Sequence, residues 1–186
     1  VSQKDDLGTQ NIQNRSCELA LLFTIPATVA LIVIPTEILT VLFQRGSFDL
    51  FATQQTAKAL IAFATGLPAY SLIKILSPMF FARHNTVIPF KFALVSVVIN
   101  IILSLVLFQY FGHVGIAIST SIAAWVNLAL LVFKLHKLKY LNFDKKIKSS
   151  FIKIFVISIL MGFILALASK MINFFSYEFL FEKILA

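Results

Sequence analysis

The sequence predicts an all-α, polytopic membrane protein of about five transmembrane helices, and three observations carry that prediction. Of its 186 residues, 59% are hydrophobic and only 13% charged, with a mean hydropathy of +0.92; ordinary soluble domains carry about 25% charge. A soluble domain this short buries only about two-thirds of its surface, so this much apolar side chain has nowhere to hide from water. The apolar residues also fall into five runs, each long enough to cross a hydrocarbon core about 30 Å thick as a helix of about 20 residues. Open strands are excluded there because lipid satisfies no backbone N–H or C=O. Most soluble enzyme folds are excluded with them.

Taken in order, residues 1–17 are polar, with Lys4, Asp5, Asp6, Asn14 and Arg15, and show neither an initiating Met nor the apolar core of a signal peptide. They read as a cytoplasmic polar segment, a loop rather than a true beginning. The predicted spans follow at about 18–43, 57–82, 90–110, 114–134 and 150–172. Residues 173–186 form a tail that reads as the start of a further helix. The connectors carry Arg45-Gly46-Ser47, then His84-Asn85-Thr86, then a tight turn at Gly112, and last a basic run from Lys134 to Lys148. No low-complexity linker separates the spans, so the transmembrane region 18–172 is one domain.

Sixteen Lys and Arg against eight Asp and Glu give a formal charge of +8. Basic residues beside short loops are retained on the cytoplasmic side. With an odd number of spans, one side holds Lys4, Arg15, Arg83, Lys91 and the basic residues between 134 and 153, while the other holds Arg45, Lys58 and Lys170. The amino end is therefore expected in the cytoplasm. The basic linker fits a topology signal or anionic lipid headgroups; nucleic acid would need an exposed domain. Cys17 is the single cysteine, and His84, His113 and His136 lie too far apart for a helical metal motif. No metal and no cofactor are predicted.

Lys74 is the most informative charge. It precedes Arg83 by nine residues, which at a rise of about 1.5 Å per residue puts it about 13 Å inside the second span. Facing lipid there costs a few kcal/mol, so such a group faces a polar interior or cavity, or snorkels to the headgroups. Spaced by four from it are Tyr70, Gly66, Ala62 and Lys58, one small and polar stripe. Lys74 and Tyr70 are the candidates for a substrate path. Glu37, just after Pro35, reads as structural or interfacial, with coupling-ion binding as the alternative. Arg15 and Glu18 read as flanking charges.

Pro26 and Pro35 in the first span, and Pro68 and Pro78 in the second, remove helix hydrogen bonds and are hinge candidates. Gly115, Ser119, Ala123 and Asn127, four apart, form the small-xxx-small pattern that lets helix backbones approach. Asn127 and Asn100 are expected as interhelical hydrogen bonders, and Trp125 as an apolar filler. There is no Gly-rich phosphate loop, no His-Glu-x-x-His and no Ser-His-Asp order, so an enzyme is not expected. No selectivity-filter-like sequence suggests a channel.

Together, Phe43-Gln44-Arg45-Gly46-Ser47-Phe48 after a Pro-containing helix, then Gly66-Leu67-Pro68-Ala69, the run from Lys74 through Ser77-Pro78-Met79-Phe80-Phe81-Ala82-Arg83, and Pro89 resemble the MurJ (MviN) family of lipid II flippases, within the MOP exporter superfamily. The ordered set covers residues 18–136, while 150–186 match mainly by hydropathy. The resemblance implies a bacterial inner-membrane protein of fourteen helices in two lobes about a central cavity. Its implied task is moving the undecaprenyl-pyrophosphate-linked peptidoglycan precursor from the cytoplasmic to the periplasmic face. This chain would match helices nine to thirteen, as a carboxy-terminal fragment. Lys74 matches a basic position of the tenth helix and is the one residue carried over, as a cavity or structural contact. The family's best-known cavity arginines lie outside the matched helices.

The resemblance further implies alternating access, with two lobes rocking about a midplane site. Partners would be the lipid-linked precursor, membrane lipids and an amino-terminal half, separate or on the same polypeptide, without which the piece is expected to be inactive. Two other readings stand beside it: a structural or degenerate membrane module without transport, and another MOP-superfamily polysaccharide-precursor or multidrug flippase.

Overall fold

A computed structural model describes the backbone of residues 3–46, 48–141 and 144–185, and the side chains of 8, 10–46, 48–141, 144, 147 and 149–172. The side chains of Lys4, Asp5, Asp6, Ser47, Lys145, Lys146 and Lys148, and those of the 173–186 tail, lie outside the described residues. The described chain is helical throughout: α1 (Gln3–Val33), α2 (Pro35–Phe43), α3 (Leu50–Ala64), α4 (Leu67–Phe81), α5 (Val87–Phe111), α6 (His113–Lys137) and α7 (Lys145–Leu185). Five segments of it are long and apolar enough to cross a membrane: Gln10–Val33, Leu50–Phe81, Val87–Phe111, His113–Lys137 and Ser149–Ile172.

The elements differ from the sequence reading at both ends. The polar start is helical from Gln3, not a loop, and its Asn14 and Cys17 are buried. Gln13 Nε2 donates to Ile75 O at 2.7 Å, so α1 is tied to α4 through this polar part. At the far end, α7 continues through Leu185 without a break, so the tail extends the same helix.

The first two spans are each broken once. Ile34 leaves the helical region (φ −125°, ψ 47°) and Pro35 opens α2, because proline lacks an N–H and its ring displaces the preceding turn. The interruption is short: Ile34 N reaches Ala30 O at 3.0 Å before it and Ile38 N reaches Ile34 O at 3.2 Å after it. The second break falls at Thr65–Gly66, and Pro68 stands in the first turn of α4. Pro26 and Pro78 sit inside α1 and α4 without breaking either. The loop before α3 is shorter than expected because Asp49 caps that helix, accepting from Ala52 N at 2.8 Å.

Helix α6 is central. Its small residues, among them Gly115, Ala117, Ser119, Ser121, Ala123 and Ala124, are buried, followed by Leu128, Leu131 and Leu135. It packs on α3, α4 and above all α5, whereas α5 barely touches α4 and α7 packs mainly on α1. Gly112 reverses the chain between α5 and α6 at φ +56°, a conformation that favours glycine. The largest core joins Cys17, Leu76, Met79, Phe80, Leu131, Leu135 and Leu141, where α1, α4, α6 and the linker to α7 meet. Most remaining large apolar side chains point outward, as on α5 and α7, which is what a lipid-facing surface requires.

Candidate functional site

Because α5 leans on α6 and away from α4, a groove opens between α4 and α5 with α6 as its floor. It has two chambers, of about 610 Å³ and about 250 Å³, which share Ile73, Ala93 and Asn127. The larger is lined by Ser77, Phe81, Val87 and Phe90, and the smaller by Tyr70, Ser96, Asn100 and Thr120. Asn127 Oδ1 is buried with no hydrogen-bond partner among the described residues. Tyr70 closes one edge, its hydroxyl donating to Thr120 O at 3.3 Å.

One helical turn after Tyr70 on α4, Lys74 is exposed and has no hydrogen-bond or ion-pair partner among the described residues. The stripe foreseen through Lys58, Ala62, Gly66, Tyr70 and Lys74 is therefore cut in two. Lys58, Tyr70 and Lys74 are exposed, whereas Ala62 and Gly66 are buried at the α3–α4 break. A Cβ on Gly66 would lie 2.8 Å from Ser121 Oγ, so glycine there is a packing requirement.

That break is held by borrowed donors. Pro68 cannot serve Ala64 O, which accepts instead from Thr28 Oγ1 of α1 at 3.3 Å. Ser121 Oγ donates to Ala62 O at 2.7 Å and Trp125 Nε1 to Thr65 O at 2.9 Å, both from α6. Trp125 is therefore more than a filler. The wall opposite is a polar seam: Ser96 Oγ donates to Ala123 O at 2.5 Å, Ser104 meets Ser119 at 2.5 Å, and Asn100 Oδ1 accepts from Ser104 at 3.3 Å and Thr120 at 3.4 Å. Gly115 allows this approach, since a Cβ there would stand 2.3 Å from Leu107 O. Asn127 lies on the groove wall, apart from those bonds.

Charges at the α1 start are also partnered. Arg15 pairs with Glu18 and reaches Asp144 at 3.6 Å, and Asp144 caps α7 by accepting from Ile147 N at 2.7 Å. Arg83 stacks 4.0 Å over the Tyr140 ring. No cluster of His, Cys, Asp or Glu fit to hold a metal occurs among the described residues.

The model of the family "Lipid II flippase MurJ" matches residues 1–185. The chain belongs to the MurJ family. Among relatives, the probable lipid II flippase MurJ of Rickettsia prowazekii (strain Madrid E) is 39% identical over 181 residues, covering 97% of this chain and 35% of the relative. Lipid II flippase MurJ of Thermosipho africanus (strain TCF52B) is 35% identical over 144 residues, covering 77% and 30%. A solved structure of lipid II flippase MurJ in an inward closed conformation superimposes with a TM-score of 0.77 at 33% identity, over 86% of this chain and 33% of that one. The chain thus spans about a third of the length of the MurJ proteins it matches. MurJ membership and five apolar helices make it a helical, multi-pass membrane segment.

Proposed function

We propose that this chain is a segment of a lipid II flippase, moving the undecaprenyl-pyrophosphate-linked peptidoglycan precursor from the cytoplasmic to the periplasmic face of the bacterial inner membrane. The segment works together with the remaining length that its MurJ relatives possess, on the same polypeptide or a second chain, and is inactive without it. Its amino end lies in the cytoplasm, a reading supported by Arg15, Arg83 and Lys134 at the α1 start, the α4–α5 turn and the α6 end.

One observation carries the assignment of a role within the segment. Lys74 is a cation at membrane depth, exposed and without a partner among the described residues, on the helix that borders the α4–α5 groove. A lone ammonium in hydrocarbon is costly, so its position is explained by a polar cavity and an anionic ligand such as a pyrophosphate. Tyr70, one turn away, lines the groove itself, whereas Lys74 lies outside the residues that line it. Transport is a movement of lipid, and none of these residues is asked to make or break a bond.

The test uses a full-length version in cells depleted of their own flippase. Lys74→Gln is expected to lower precursor flipping about tenfold, the scale of one lost charge-assisted hydrogen bond, and Lys74→Arg to retain most of it. Flipping unchanged in Lys74→Gln would reduce Lys74 to packing. Supplying the 186-residue chain with and without an amino-terminal half tests the larger reading, and failure of the pair to rescue growth would favour a module without transport.

A further inference from the structure

Two hydrogen bonds join the first and last spans, and they have the same offset. Ser150 Oγ donates to Glu18 Oε1, and Ser169 Oγ donates to Glu37 Oε1, each across 132 residues of sequence. The two glutamates are nineteen residues apart on α1 and α2, and the two serines nineteen apart on α7. At about 1.5 Å per residue that is about 28 Å along the axis, close to the thickness of a hydrocarbon core. The bend at Ile34 changes the count little, because i to i−4 bonding runs up to it (Ile34 N to Ala30 O) and resumes with Ile38 N to Ile34 O, so the interruption is about one turn.

Between these points the contact is apolar and close. Ile154 is buried with Leu21 and Ile25, and a Cβ on Gly162 would stand 2.6 Å from Val29 Cγ1. Ser158, buried midway, turns its hydroxyl back to Ile154 O at 2.7 Å and makes no bond across the pair. Polar contacts thus occur at the two ends of a greasy interface. A slip of one residue would turn α7 by about 100° and shift it about 1.5 Å, breaking both bonds at once. The cytoplasmic end is reinforced by Arg15, which pairs with Glu18 and reaches Asp144.

We propose that Glu18–Ser150 and Glu37–Ser169 are paired positioning contacts, one at each face of the bilayer, that hold α7 to α1 and α2 in parallel register so that α7 travels with them as one body. Extensive packing of α7 among the described residues is on α1 alone, so these bonds and the seam between them decide where α7 sits. The inference rests on helix register and not on the substrate assigned above.

The experiment places spin labels in a Cys17→Ser chain in lipid nanodiscs, at Leu19 with Phe151 for one end and at Ile32 with Ile164 for the other; all four positions are exposed or nearly so. Pulsed dipolar spectroscopy then reads each distance distribution. Ser169→Ala and Glu37→Leu are expected to raise the separated population at the Ile32–Ile164 end about tenfold, the scale of one lost charge-assisted hydrogen bond, while the other end keeps its distance. Ser150→Ala is expected to do the reverse. Glu37→Gln and Ser169→Thr, which keep an acceptor and a donor, are expected to hold the native distribution. The proposal is overturned if the alanine and leucine variants leave both ends unchanged, if either variant loosens both ends equally, or if the conservative variants behave like the disruptive ones.

Discussion

Replacing Gly115 by alanine puts the α5–α6 seam to a quantitative test. The added Cβ would lie 2.3 Å from Leu107 O, 2.5 Å from Leu107 C and 2.9 Å from Phe108 N. All three atoms are backbone, so no rotamer change relieves the clash and α5 must move away by about 1 Å to reach ordinary contact. Ser104 and Ser119 sit one turn from the clash and meet at 2.5 Å, so a shift of that size carries them beyond hydrogen-bond range. Overpacking costs typically 1–3 kcal/mol, and an interhelical hydrogen bond in a membrane protein adds about 0.6 kcal/mol. The expected destabilisation is therefore about 2–3 kcal/mol, read as unfolding free energy in mixed micelles titrated with a denaturing detergent. Ser119→Ala, which deletes the hydrogen bond and adds no atom, should cost less than about 1 kcal/mol. Equal stability of Gly115→Ala and the parent would refute the close approach on which the seam depends.

Trp125→Phe keeps the ring volume approximately but removes the donor to Thr65 O; it should cost about 1 kcal/mol and speed hydrogen exchange at the α3–α4 break, and unchanged exchange there would count against the borrowed-donor description. Asp144→Ala removes both the α7 cap and the Arg15 contact; a loss of about 1 kcal/mol with faster proteolysis of the 138–144 linker is expected, and an unaltered cleavage rate would show the cap to be unimportant.

The fold class was legible because composition alone excludes water as the solvent for most of these side chains. The proline positions were legible too, but not their effects. Pro35 and Pro68 begin new helices, while Pro26 and Pro78 are absorbed. The break at Thr65–Gly66 depends on Thr28, Ser121 and Trp125, which contact it from other helices, and no local pattern reveals such partners. Polar residues at the start misled in the same way: Asn14 is buried, and Cys17 is buried in the core with α4, α6 and Leu141 of the linker, so tertiary contact outweighs local polarity. Lys74 stood out as a charge in an apolar run, whereas Asn127 Oδ1, without a partner among the described residues, is recognised only once α4, α5 and α6 are assembled.

The borrowed donors at the α3–α4 break also set a schedule for biosynthesis. Thr28 is synthesised before Ala64, but Ser121 and Trp125 follow their carbonyls by 59 and 60 residues. At about 5–20 residues per second, that interval is roughly 3–12 s. Throughout it, Thr65 O of the nascent transmembrane segment awaits its donor, while Ala62 O has only the local Thr65 hydroxyl. The insertion machinery must shelter that segment, or water must accompany it, until the fourth span emerges.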